Sequence, residues 1–193
     1  TDVLTRLGGS LRKSEGDSVV GVDIGTSTIK LVQLRSRKGS AVLETYGEIA
    51  LGPYAGAEVG QAVSPPAEKI SEALADLMRE ANVTATTGGV AIPLSASLIS
   101  VITLPTKSKE ELATMVPIEA RKYIPVPVSE VALDWFVIPE EEIQFLGAPA
   151  ATRPANATDV LMVAIHKATL ARQETIAKGA KLTPGFYEIE PFS

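Results

Sequence analysis

Apolar residues come in short alternating or continuous blocks along the first third of the chain. Val19–Gly25, Thr28–Leu34 and Ala41–Leu51 are rich in β-formers, with tight turns between them, the second being Arg37-Lys38-Gly39-Ser40. They predict three consecutive strands. A Gly, Ala and Pro-rich connection, Gly52–Pro66, follows. Ser64-Pro65-Pro66 is a plausible helix start. Ile70, Leu74, Leu77, Met78 and Ala81 then form one apolar stripe, which predicts an amphipathic helix over Pro66–Asn82. Gly89–Ile92 and Leu98–Leu104, separated by Pro93, read as strands. The first unit is thus β-β-β-α-β-β.

A second unit is expected from Pro105. Ser108-Lys109-Glu110-Glu111 has the capping-box pattern, with Ser108 as N-cap and Glu111 three residues on. The helix it opens runs towards Ile124, and Pro117 inside it predicts a kink or a start at Val116. Val131–Ile138 is a strand, Pro139–Asp159 a long loop, Val160–Ile165 a buried strand, Lys167–Ala180 a helix and Pro184–Glu190 a last strand. Residues 1–18 are polar, with Val3, Leu4, Leu7 and Leu11 at helical spacing, but Gly8-Gly9 interrupts them. They read as a flexible leader, with a short amphipathic helix as the alternative. The domain expectation is therefore a leader over 1–18, one unit over 19–104 and another over 105–193.

Composition narrows the function. Hydrophobic residues make up 45% of the 193, enough for a sizeable core, and aromatics only 5%, so that core is aliphatic. A net charge of −5 argues against a nucleic-acid partner. The absence of cysteine excludes disulfides, thiolate zinc sites and cysteine nucleophiles. No apolar run approaches the length of a membrane span, and no secretory signal pattern is present. A cytoplasmic protein is expected.

The segment Val19–Leu34, VVGVDIGTSTIKLVQL, carries the candidate chemistry. A strand ends in Asp23, a turn of Gly25, Thr26 and Ser27 follows, and a second strand carries Lys30. Small residues let backbone amides approach a phosphate, hydroxyls add donors, and an adjacent carboxylate can hold the water shell of Mg²⁺. For each residue a plainer role stands beside this one. Asp23 can serve as a turn carboxylate, Gly25 as a hairpin glycine and Lys30 as a solvent-facing strand lysine. Neither G-x-x-x-x-G-K-[ST] nor G-x-G-x-x-G occurs in the chain. The segment resembles the first phosphate loop of the actin, Hsp70 and sugar-kinase superfamily.

Three further stretches sharpen the resemblance: Val101–Pro105 (VITLP), Glu119–Ile138 (EARKYIPVPVSEVALDWFVI) and Val160–Ser193. Together with Gly21–Leu34 they are similar to the PilM family of type IV pilus assembly proteins and its cell-division relative FtsA. The resemblance implies an α/β, actin-like (ribonuclease H-like) subdomain 1A joined to a small FtsA-type 1C subdomain. No second phosphate-binding Asp-x-Gly strand or Gly-rich adenosine motif follows, so the second lobe is absent from the sequence. The resemblance implies ATP and Mg²⁺ as cofactors of the complete protein, held by Asp23, Gly25, Thr26, Ser27 and Lys30 with Asp23 on the metal side, and weak nucleotide binding by this chain. No catalytic residue is assigned.

The implied function is that of an adaptor on the cytoplasmic face of the inner membrane, which holds the N-terminal cytoplasmic tail of a PilN-type membrane protein. The apolar, proline-spaced segment around Tyr123, Ile124, Val126 and Val128 has two readings, packing between the units or docking of that peptide. In the docking reading an extended peptide lies in a cleft between the units, with Ile124 and Val126 as anchors. Competing functions are an ATPase or kinase of the same superfamily, which needs a catalytic carboxylate, and an FtsA-like division protein. His166 is the single histidine and reads as a strand-end residue; Glu140-Glu141-Glu142 reads as solvated.

Overall fold

The computed structural model describes residues 17–139 and 156–190. The leader expected over residues 1–18 falls almost wholly outside them, as do the Glu140–Glu142 run and most of the long loop. The chain forms two units, one running to Leu94 and resuming at Ala168, the other Ser95–Lys167. This differs from the expected break near Pro105.

The first unit is built on β1 (Ser18–Ile24), β2 (Thr28–Arg37), β3 (Ser40–Ala50), β4 (Thr87–Ile92) and β8 (Thr183–Ile189). Their order in the sheet is β3-β2-β1-β4-β8. β1, β2 and β3 form an antiparallel meander, whereas β4 runs parallel to β1 and β8 parallel to β4. Alternation along β1 and β2 buries Val20, Val22, Ile24, Ile29 and Leu31 on one face. Helix α1 (Ala67–Glu80) turns Ile70, Leu74 and Leu77 inwards and packs on β2 and β3. A hydroxyl links α1 to α3 (Lys167–Gly179): Ser71 Oγ donates to the Ile176 carbonyl at 3.1 Å. Gly179 lies so close to Ser71 that a Cβ there would meet its Oγ at 2.5 Å.

The second unit is a three-stranded antiparallel sheet in the order β5-β7-β6, with β5 (Ser97–Leu104), β6 (Val131–Val137) and β7 (Thr158–His166). Helix α2 (Lys109–Ala120) buries Leu112 and Val116 against Ile102, Leu104 and Val160. Ser108 caps it as expected, accepting from Glu111 N at 3.4 Å. The Glu111 carboxylate accepts from Thr106 Oγ1, and Thr106 Oγ1 in turn accepts from Ser108 N at 3.1 Å. Thr106 thus takes the place that the reciprocal arm of a capping box would have. α2 runs through Pro117 as one helix. His166 ends β7, as the sequence suggests.

The partition corrects the sequence-based one in two ways. β5 pairs with β7 and belongs to the second unit, although it precedes Pro105. α3 and β8 return to the first unit, where β8 extends the sheet beside β4. The second unit is therefore inserted into the first rather than appended to it.

Candidate functional site

The β1–β2 hairpin brings the candidate phosphate-loop residues together. Gly25 N donates to the Thr28 carbonyl at 3.0 Å and closes the turn. The carbonyls on its far side are pinned from outside: Val63 N donates to Thr26 O and Leu51 N to Ser27 O, both at 2.8 Å. The connection after β3 thus acts as a brace for the loop. In the hairpin register Asp23 lies directly opposite Lys30, so both side chains emerge on the sheet face away from α1.

Asp23 is the unusual group of the site. Its Oδ1 is buried and has no hydrogen-bond partner. Burial pushes its carboxyl above the ordinary carboxylate range, the Glu190 carboxylate nearby pushes the same way, and Lys30 opposes them. Native structures rarely leave a buried polar atom unmatched, and one that is unmatched at a loop calls for a ligand or a water. A cavity of about 380 Å³ opens beside it, lined by Gly21, Asp23, Lys30, Val32, Gly89 and Phe186 among others. Among the described residues no three His, Cys, Asp or Glu side chains converge on one metal position. A cation at Asp23 would be held by one carboxylate, with waters and ligand oxygens completing its shell, the manner of hydrated Mg²⁺.

Asp23 yields a prediction of sign. Its folded pKa lies above its unfolded one, so the ionised carboxylate weakens the fold at neutral pH and stops doing so below the ordinary carboxylate range. Asp23→Asn should raise the melting temperature at neutral pH. The gap should close as pH falls through the raised value to the ordinary one. Thermal melts of both proteins across pH test this; a lower melting temperature for the variant at neutral pH would contradict it.

Phe186, Glu188, Glu190 and Gly89 join this site and were not singled out in the sequence. β8 brings Phe186 and Glu188 to the cavity wall, and Phe186 lies opposite Gly89 in the β4–β8 ladder. The signal present was the Gly88-Gly89 pair inside a strand, which marks a close approach.

The other candidate set belongs to the second unit and divides. Ile124 is only 7% exposed and sits in a core cluster with Ala120, Val131, Met162 and Ala164. It is a structural residue of that unit and offers almost no surface to a peptide, which corrects its expected role as an anchor. Val126 and Val128 pack half-buried on the same cluster. Tyr123 is 44% exposed.

The sheet order, the braced hairpin loop and the inserted second unit define a partial actin-like fold. Comparison with solved structures agrees. The chain aligns over 90% of its length with 48% of a chain in a PilM-PilN type IV pilus biogenesis complex, at 24% identity and a TM-score of 0.70. It aligns over 89% of its length with 57% of the cytoplasmic domain of EpsL, an inner-membrane component of the type II secretion system of Vibrio cholerae, at 12% identity and a TM-score of 0.55. The chain therefore spans about half the length of these relatives. The profile of the type IV pilus assembly protein PilM family matches residues 21–193. The chain belongs to the PilM family. Among its described residues no helix is long and apolar enough to cross a membrane.

Proposed function

We propose that this protein is an actin-like adaptor on the cytoplasmic face of the inner membrane. In this role it binds the N-terminal cytoplasmic tail of a PilN-type membrane protein and so ties that protein to the type IV pilus assembly machinery. The observation that carries the reading is the PilM family match over nearly the whole chain. Likeness to a protein solved in complex with PilN supports it.

The peptide surface is proposed on the second unit. Exposed Tyr123 and half-buried Val126 and Val128 offer apolar contacts, while β5 and β6 form the edges of its sheet. An extended peptide pairs its backbone with such an edge and places alternate side chains on an apolar surface. Ile124 supports this surface from beneath. Tyr123→Ala with Val126→Asp should weaken tail binding at least about tenfold, the loss of one or two apolar contacts of ordinary strength, in a protein whose circular dichroism is unchanged. Unaltered affinity would move the peptide site elsewhere.

Mg²⁺ and ATP are proposed for the first unit. When bound, the nucleotide supplies contacts that favour one conformation over another. Thr26 and Ser27 would offer amides and hydroxyls to its phosphates, Gly25 lets them approach, and Lys30 balances their charge. Asp23 fits the metal side because its buried oxygen has no protein partner. This loop serves only phosphate and metal, so affinity in the millimolar rather than the micromolar range is expected of this chain.

A further inference from the structure

The second unit is inserted, so the chain crosses into it after Leu94 and leaves it after Lys167. The two crossings are fastened differently. At the exit, Lys167 Nζ donates to the Ser129 carbonyl at 2.7 Å, a tie within the second unit. At the entry, Leu94 N donates to Glu190 Oε2 at 2.9 Å, a tie within the first. Leu94 opens the short 3-10 turn Leu94–Ala96 that leads into β5. β4 ends at Ile92, opposite Ile189 of β8, so the end of β8 delivers Glu190 beside the chain where it leaves the sheet.

Glu190 is also felt at the hairpin loop. β1, β4 and β8 run parallel, so their carboxyl ends share one end of the sheet, where Asp23 and the Gly25–Ser27 turn stand. Ligands of α/β sheets gather at such ends. The Asp23 carboxyl is raised first by burial and next by the Glu190 carboxylate. With Asp23 ionised and nothing between them, the two carboxylates repel. That repulsion works against Glu190 in the position where it holds Leu94 N. With a divalent cation at Asp23, Glu190 is attracted instead of repelled. A carboxylate between a cation and a backbone amide is polarised from both sides, which strengthens both contacts.

We propose that Glu190 is a latch that stiffens the entry into the second unit when a divalent cation occupies the hairpin loop. The latch rests on the metal reading of Asp23 given above. It needs no rearrangement, because the Glu190 carboxylate already holds Leu94 N. Occupancy of the loop is thereby passed to the segment that carries the chain out of the first unit. By linkage, Glu190 in turn strengthens cation binding at Asp23.

Hydrogen exchange at the Leu94 amide, followed by NMR on the full chain with Mg²⁺ alone as the probe, tests the latch. Chemical shifts of the Gly25 and Thr26 amides report binding at the loop separately. Mg²⁺ should move those shifts and slow Leu94 exchange at least about fivefold, the low end of ordinary coupling between sites. Sodium chloride at matched ionic strength should do neither. Glu190→Gln keeps an acceptor for Leu94 N and loses the charge. In that variant Mg²⁺ should bind several-fold more weakly and leave Leu94 exchange unchanged. Asp23→Asn should lose both responses. Shifts at the loop with Leu94 exchange unchanged or faster would overturn the latch and leave the metal reading standing, and the wild type alone can give this result. A Glu190→Gln protein whose Leu94 amide slows like the wild type would overturn it too. No shift at the loop in millimolar Mg²⁺ would overturn both the latch and the metal reading.

Discussion

Replacing Gly88 by alanine should abolish folding of the first unit. A Cβ at this position would stand 1.8 Å from the Val20 carbonyl oxygen and 2.7 Å from its carbon. Both are backbone atoms of β1, held in the middle of the sheet by pairing with β2 on one side and β4 on the other. No rotamer change relieves such a clash; one central strand must move, and with it the register that buries Val20, Val22 and Val90. The cost should exceed about 4 kcal/mol, in the range kept for severe backbone or packing conflicts. Gly89→Ala is the matched comparison, because its Cβ would meet the Phe186 ring at 2.4 Å and that side chain can turn away. Circular dichroism and urea unfolding of the two variants should show Gly88→Ala insoluble or largely unfolded and Gly89→Ala folded. A native-like Gly88→Ala would contradict so close an approach of β1 and β4.

Gln33→Leu should cost about 3 kcal/mol, since the buried groups left without partners each lose roughly 1–3 kcal/mol. Gln33 is 2% exposed and makes four hydrogen bonds. Its Oε1 accepts from Thr84 N at 2.8 Å and Ala85 N at 2.9 Å, and its Nε2 donates to Glu44 Oε2 at 2.8 Å and Thr84 Oγ1 at 2.9 Å. These bonds fasten the segment that enters β4 to the middle of β2. Leucine fills a similar volume but leaves the buried Ala85 amide and the partly buried Thr84 amide without an acceptor. Ser18, Gln33 and Arg35 together hold the Glu44 carboxyl below its ordinary range. Its folded pKa is depressed, so its contribution is present above the ordinary carboxylate range and is lost as pH falls through the lowered value. Urea unfolding followed by circular dichroism should show the loss, and Thr84→Ala should lose much less. The single tryptophan, Trp135, lies in the second unit and reports that unit separately. A Gln33→Leu protein as stable as the wild type would contradict the network.

The β1–β2 hairpin was readable because everything that defines it is local. Alternation set the faces, Gly25 marked the turn, and that spacing alone places Asp23 opposite Lys30. Glu190 and Phe186 were not readable as part of this site, because only the parallel pairing of β8 with β4 brings them there from the far end of the chain. The unit boundary failed for a related reason. Pro105 and the Ser108 cap are real local signals of a turn and a helix, but no local signal says which sheet a strand joins. Leu98–Leu104 carries the same pattern whether its partner is β4 or β7. Ile124 shows the limit most clearly: an apolar residue between prolines suits a docking loop or a core equally well. Contact with Met162 and Ala164, nearly forty residues on, decides for the core. Pro117 predicted a kink or a late start, yet α2 begins at Lys109 and continues through it to Ala120, giving up only the bond that a residue-117 N–H would have made.

Calorimetric titration of this chain with the N-terminal cytoplasmic peptide of its PilN-type partner tests the adaptor reading most directly. Saturable binding at a stoichiometry of one to one is expected, weakened by Tyr123→Ala with Val126→Asp and insensitive to Asp23→Asn. No heat and no binding, by a chain whose circular dichroism and Trp135 fluorescence show both units folded, would contradict it.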